Sequence, residues 1–385
     1  MENTARFQYN PAMLSRRNFF KAAGVSAVAA ATASFPSELL AWAEPLRESR
    51  PGGPVLLNAN ENAYGPFPGV LALPNPFQDA NRYPDSSAEA LVARLAKLHK
   101  VAPEQIVLGC GSTEILKIAT SAFTGPGRKL IMASPTFEAV DYYAKATKAE
   151  VVKVPLASMS YAHNLPAMLA AAEKDTGLVY ICNPNNPTGS ITPRRTLENF
   201  LRELPKDVYV LMDEAYHDFV SVAADYISFV DHPVDPDRVI VARTFSKIYG
   251  MAGLRLGYAV TSAKTAKLIA AHRQEDSANI FALRCGLRSL EDADELEAAI
   301  RRNANDRDTF MREAAKRKVI TIPSWTNFVM INTLRPVRTV IDHFAKNNIR
   351  IGRPFPPMDT FARISLGTPE QMKQFWAAWD KMPPA

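Results

Sequence analysis

The 385-residue, 42.4 kDa chain is 47% hydrophobic and 22% charged, which suits a folded protein of one large domain or two and excludes disordered, collagen-like and small disulfide-framed chains. Its formal charge of +6 is scattered, with no basic run, so no nucleic-acid footprint is expected. Cys110, Cys182 and Cys285 form no CxxC pair and none stands at ligand spacing from a histidine, which argues against a metal site and a disulfide framework.

In chain order, Ser15-Arg16-Arg17-Asn18-Phe19-Phe20-Lys21 leads into Ala22 to Phe35, an alanine-rich, uncharged stretch too short to span a bilayer. It resembles the twin-arginine (Tat) export pattern S/T-R-R-x-F-L-K, departing at Phe20, and Ala41-Trp42-Ala43 resembles an A-x-A cleavage site. That resemblance implies a Tat signal peptide over residues 1–43, the Tat export machinery as partner, and a periplasmic or extracellular mature chain with no stable membrane anchor. Loss of residues 1–43 removes four basic and two acidic side chains, leaving +4. The bland alternative is an amphipathic first helix.

Residues 44–84 hold eight of the 29 prolines and read as an extended N-terminal arm laid over another body. Short apolar runs follow: 106–108, 129–132, 150–154, 178–181, 208–212, 239–241 and 256–260. Helical stretches such as 113–123 and 136–146 separate them. This alternation predicts an α/β fold, with a mainly parallel sheet covered on both faces, over residues 85–263. From about 264 the texture changes to long charged helices, notably 292–317, with further elements at 328–332, 337–346, 349–351 and 363–366. Residues 264–385 therefore read as a smaller α+β domain that the arm joins.

Four segments carry chemistry. Gly109-Cys110-Gly111-Ser112-Thr113-Glu114 follows a strand and opens a helix, a junction that suits an anion or is simply a capped helix. Asn183-Pro184-Asn185-Asn186-Pro187-Thr188-Gly189 follows the strand at 178–181. Asp213-Glu214-Ala215-Tyr216 puts a carboxylate at the end of a buried strand, where open α/β sheets place ligands. Thr244-Phe245-Ser246-Lys247 follows another strand, with Arg255 beyond it. Neither G-x-G-x-x-G nor a Walker motif occurs.

Together these segments resemble the fold-type I pyridoxal-phosphate-dependent class I/II aminotransferases over essentially the whole mature chain. The closest likeness is to histidinol-phosphate aminotransferase-like members, through Leu57-Asn58-Ala59-Asn60-Glu61-Asn62, Arg82-Tyr83-Pro84, Asp213 to Phe219, Phe245 to Lys247 and Arg363 to Thr368. The resemblance implies pyridoxal 5'-phosphate as cofactor, amino acids and 2-oxo acids (or a keto phosphate) as substrates, and a homodimer.

It also implies residue roles. Lys247 would form the Schiff base and move the proton, and Asp213 would pair with the pyridine nitrogen. Asn186 and Tyr216 would bond the ring phenolate. Phe137 would stack on the ring or serve as a core aromatic. The phosphate would sit among Gly111, Ser112, Thr113, Ser246 and Arg255, with Tyr83 reaching it from a partner subunit or standing as a surface tyrosine. Arg363 would grip the substrate α-carboxylate. Arg353 would bind a substrate phosphate or pair with an acid, while Tyr64 and Asn62 border the substrate side chain. Departures at Ala63 and Thr113 from N-E-N-P-Y-G and G-S-D-E bear on substrate choice. An exported enzyme of this kind is expected to serve an aromatic or other free amino acid. Alternatives are a decarboxylase or oxidase on the same scaffold, or, more remotely, a non-catalytic periplasmic binding protein.

Overall fold

The apolar runs pair edge to edge, and those in the middle of the sheet bury both of their faces. In the computed structural model, which describes residues 53–74, 79–220 and 225–383, seven of them form one sheet. The expected signal peptide, its cleavage site at Ala43 and the first part of the arm lie outside the described residues, as does Pro76. The strands are β2 (Ile106–Cys110), β3 (Lys129–Ser134), β4 (Val151–Pro155), β5 (Thr176–Cys182), β6 (Tyr209–Asp213), β7 (Val239–Thr244) and β8 (Leu256–Val260), preceded by a short β1 (Val55–Leu57). Their spatial order is β2-β8-β7-β6-β5-β3-β4. From β7 to β4 all neighbours run parallel, and β8 is antiparallel to both of its neighbours.

Along β5, Leu178, Tyr180 and Cys182 enter one core while Val179 and Ile181 enter the other, as the two-residue period of a strand requires. Helix Ser112–Phe123 covers the first face with Ile115, Leu116, Ile118 and Ala119, a three-to-four spacing. The expected helix over 136–146 begins only at Ala139. Pro135 lacks an N–H, and the Thr136 hydroxyl donates to Asn185 Oδ1 at 2.6 Å, which holds Thr136 and Phe137 in a loop at the sheet's carboxyl edge.

A second, antiparallel sheet has the order β12 (Phe361–Ser365), β10 (Phe328–Asn332), β9 (Ile320–Thr321). Separately, β1 pairs in parallel with β11 (Ile349–Ile351), so the described start of the arm is fastened to C-terminal backbone. The core here is aromatic, with Phe344 and Phe375 stacked at 4.8 Å. Helices Ala263–Ala270 and Ile280–Ser289, beyond the change of texture at 264, send Ala266, Ile269 and Leu283 into the large-sheet cores. Helix Ala293–Lys316 then gives Ala299 to a large-sheet core and Phe310 and Ala314 to the small one. From Val55 onward the described residues form one compact unit. Among them no helix is long and apolar enough to cross a membrane.

Candidate active site

The carboxyl ends of β2, β3, β5, β6 and β7 all open on one edge of the large sheet, facing β12 of the small one. Between them lies a cavity of about 260 Å³. At one end β2 turns at Gly111, whose φ of +75° is a left-handed conformation, into the helix at Ser112, and no side chain caps that helix. A Cβ on Gly111 would run into the Arg255 guanidinium. Arg255 donates to Ser246 Oγ at 3.2 Å, to Ala252 O at 2.9 Å and to Thr113 Oγ1 at 3.4 Å. A guanidinium, three hydroxyls and a helix N-terminus make this end an anion cradle.

In the floor, Asp213 ends β6 with both oxygens occupied: Tyr180 OH donates to Oδ2 at 2.8 Å and the Ala215 N–H to Oδ1 at 3.1 Å. Burial still pushes its carboxyl up to about 6. Lys247 follows β7, and its Nζ donates to Asn60 O at 3.1 Å and Ala59 O at 3.4 Å, lying 5.6 Å from the centre of the Tyr216 ring. Burial, and then the charge of Arg363, pull the amine down to about 8. Tyr216 OH accepts from Asn60 Nδ2 at 3.0 Å, and burial raises its phenol above the usual value.

On the far wall Arg363, on β12, is buried. Its Nη1 donates to Asn186 Oδ1 at 2.6 Å and Nη2 to Asn58 O at 2.7 Å, and the guanidinium lies 4.7 Å from the Phe355 ring. Its Nε has no partner among the described residues. Burial lowers its ionisation to about 10. A buried guanidinium lining a cavity is suited to an incoming carboxylate. Phe137 lines the cavity and also packs on the core behind it.

Arg353 lines the mouth of the cavity and pairs with Glu138 at 2.6 Å, so of its two expected roles the structure displays the ion pair with an acid. Tyr64 and Asn62 border a second, small cavity instead. Tyr64 OH donates to Asp306 Oδ2 at 2.9 Å, with burial the main reason its phenol rises to about 12, and Asn62 Nδ2 donates to Ile248 O at 2.8 Å. Tyr83 is 81% exposed and lies off this chain's cavity, on open surface. Sequence reasoning missed Asn60, Tyr180 and Glu138 as site residues. Asn60 had a signal, since it stands in the same Leu57 to Asn62 motif. The other two are polar residues brought in by sheet register and by a long-range contact.

The donor set fits pyridoxal phosphate. The cradle would take the phosphate, Asp213 the ring nitrogen, Asn186 and Tyr216 the ring oxygen, and Lys247 the aldehyde carbon. The family model for class I and II aminotransferases matches residues 53–378. Histidinol-phosphate aminotransferase of Symbiobacterium thermophilum is 34% identical, over 83% of this chain and 88% of that protein. Histidinol-phosphate aminotransferase 2 of Methylococcus capsulatus is 35% identical, over 85% and 90%. The crystal structure of the Sinorhizobium meliloti histidinol-phosphate aminotransferase in complex with pyridoxal-5'-phosphate superposes with a TM-score of 0.78 at 28% identity, over 84% of this chain and 89% of that one. The chain belongs to the class I and II aminotransferases, with the fold-type I architecture, a likeness to histidinol-phosphate aminotransferases, and pyridoxal phosphate as its cofactor.

Proposed function

We propose that this transaminase exchanges an amino group between a free α-amino acid and a 2-oxo acid, and that it does so as an exported homodimer. The observation that carries the substrate reading is Arg363: a buried guanidinium lining the same cavity as the Lys247 amine. An α-carboxylate seated there leaves the substrate Cα–H to be turned toward Lys247.

When bound, pyridoxal phosphate supplies the carbonyl that takes up the amino group and an electron-poor ring that draws the electrons of the broken Cα–H bond. Lys247, with its amine pulled down to about 8, is a base near neutral pH and would carry the proton from the substrate Cα to the former aldehyde carbon on the other side of the nitrogen. Asp213 would hold a proton on the ring nitrogen, and Tyr180 and the Ala215 N–H fix which way its carboxylate points. Tyr216, anchored by Asn60, and Asn186 would orient the ring oxygen. Arg255 and its hydroxyl partners Ser246 and Thr113 would hold the phosphate and so anchor the cofactor.

The twin-arginine pattern at Arg16 and Arg17 supports export, and the exposed Tyr83 beside Pro84 supports a contact with a second subunit's phosphate cradle. The main test is a panel of L-amino acids offered to the purified mature chain with 2-oxoglutarate, scored by product identity. One-for-one formation of the oxo acid and glutamate is expected; CO₂ release without oxo acid would move the reading to a decarboxylase. Cell fractionation with Arg16 and Arg17 changed to Lys tests export. Sedimentation of Tyr83→Phe, with its cofactor dissociation constant, tests the shared site.

A further inference from the structure

We propose that Glu138 sets the substrate class: by neutralising Arg353 at the cavity mouth, it makes the site favour amino acids with an uncharged side chain over those bearing a second anion. The proposal rests on the transaminase reading above, in which Arg363 takes the α-carboxylate.

The charges around the cavity leave few alternatives. Arg255 is committed to Ser246, Thr113 and Ala252 at the phosphate end. Arg363 spends two nitrogens on Asn186 and Asn58, and as the buried guanidinium of the cavity it is the one that takes the α-carboxylate. Arg353 is the remaining guanidinium that lines the cavity. Left open, it would draw a second carboxylate or a phosphate into the side-chain region. It is not open. Glu138 Oε2 accepts from Arg353 Nη2 at 2.6 Å, across 215 residues of sequence.

Glu138 has a local alternative that it does not take. It stands at the N-terminal boundary of helix Ala139–Ala146, where an acidic side chain commonly caps, yet it makes no cap hydrogen bond and reaches out to Arg353. The reason lies in the opposite wall. The Phe355 ring has two guanidinium neighbours, Arg353 at 4.4 Å and Arg363 at 4.7 Å, and their like charges repel. The Glu138 carboxylate offsets that repulsion. An uncharged side chain can lie between Phe137 and Phe355 without disturbing the pair. A dianionic substrate must displace Glu138 and then sit beside the carboxylate it displaced, so the penalty falls selectively on that class. Both partners are about half exposed, which limits the discrimination to roughly fivefold.

The test uses the holoenzyme and Glu138→Gln, which keeps the shape and removes the charge. Calorimetry should give a dissociation constant for glutarate, relative to 3-phenylpropionate, lowered about fivefold. The ratio of kcat/KM for L-glutamate over L-phenylalanine should rise in step, chiefly through KM, and both gains should vanish in the double variant with Arg353→Gln. Arg353→Gln alone strands the Glu138 carboxylate and should weaken glutarate further, which keeps the idea testable if Glu138→Gln does not fold. Unmoved glutarate discrimination in Glu138→Gln, or in Arg353→Gln if that is the only soluble variant, overturns the proposal. A glutarate shift with no oxo acid formed from any donor supports the Glu138 assignment and removes the transaminase reading instead.

Discussion

Arg363 Nη1 donates to Asn186 Oδ1 at 2.6 Å, and this one bond joins the group that faces the substrate carboxylate to the group that faces the cofactor's ring oxygen. It also ties β12 of the small sheet to the loop after β5 of the large one. A hydrogen bond to a charged partner in a buried site contributes about 1.5–3 kcal/mol, so Asn186→Ala should lower kcat/KM for amino-acid donors about 10- to 100-fold. Most of the loss should appear in KM, because Arg363 loses its aim while Lys247 is untouched. Steady-state kinetics across the donor panel checks this, and a loss confined to kcat would contradict it.

Lys247 carries the clearest pH signature. Its amine is pulled down to about 8, so the neutral, nucleophilic form predominates above that pH and is depleted below it. Uptake of pyridoxal phosphate by the apoenzyme, followed by stopped-flow absorbance, should accelerate with rising pH and level off above about 8. An unperturbed lysine would keep accelerating to about 10.4. Lys247→Ala should abolish that absorbance change and cost about 10²–10⁴-fold in turnover from lost proton transfer alone.

The parts of this architecture readable in the sequence are those where local chemistry and burial agree. The run at 256–260 is strand β8 to the residue, and Asp213 stands at a strand end because an apolar run stops there at a carboxylate. Longer-range relations are not readable in this way. Tyr180 meets Asp213 only because β5 and β6 pair in parallel with Cys182 opposite Asp213, a register that neither strand encodes alone. The helical periodicity of its neighbours draws Glu138 into the expected helix over 136–146. What places it outside is Pro135 and a hydrogen bond to Asn185 from far along the chain. Tyr64 and Asn62 are a third case: their motif points to the substrate, while Asp306 and Ile248 hold them at a neighbouring cavity.

Gly111 should not tolerate a side chain. Its left-handed φ of +75° costs any other residue about 1–3 kcal/mol, and a Cβ would also collide with Arg255. Gly111→Ala should therefore lower apoenzyme stability by that order and displace the guanidinium from the cradle. The expected result is a cofactor dissociation constant raised about tenfold or more, because the displaced Arg255 can no longer bond the phosphate. Equilibrium dialysis measures it, and unaltered affinity would mean that the cradle does not hold the phosphate.

Asp213 is the place where function and stability pull apart. Burial raises its carboxyl from 3.8 to about 6. Between about pH 4 and pH 6 the folded apoenzyme keeps a proton there that the unfolded chain has released, so this group's contribution to stability falls as pH rises through that window. Above it the full cost remains, of order 3 kcal/mol for a rise from 3.8 to about 6, in which the attraction of Lys247 is already included. Asp213→Asn should make the apoenzyme more stable at pH 7.5, on the order of 1–3 kcal/mol, with the advantage fading as pH falls from about 6 to about 4. Loading with cofactor should reverse the order, since the amide cannot hold a proton on the ring nitrogen. Urea titrations of both forms at pH 7.5 and at about pH 4 separate these terms. Equal stability of the two apoenzymes at pH 7.5 would mean that the Tyr180 and Ala215 hydrogen bonds already offset the whole desolvation cost, and that Asp213 is charged at no expense to the fold.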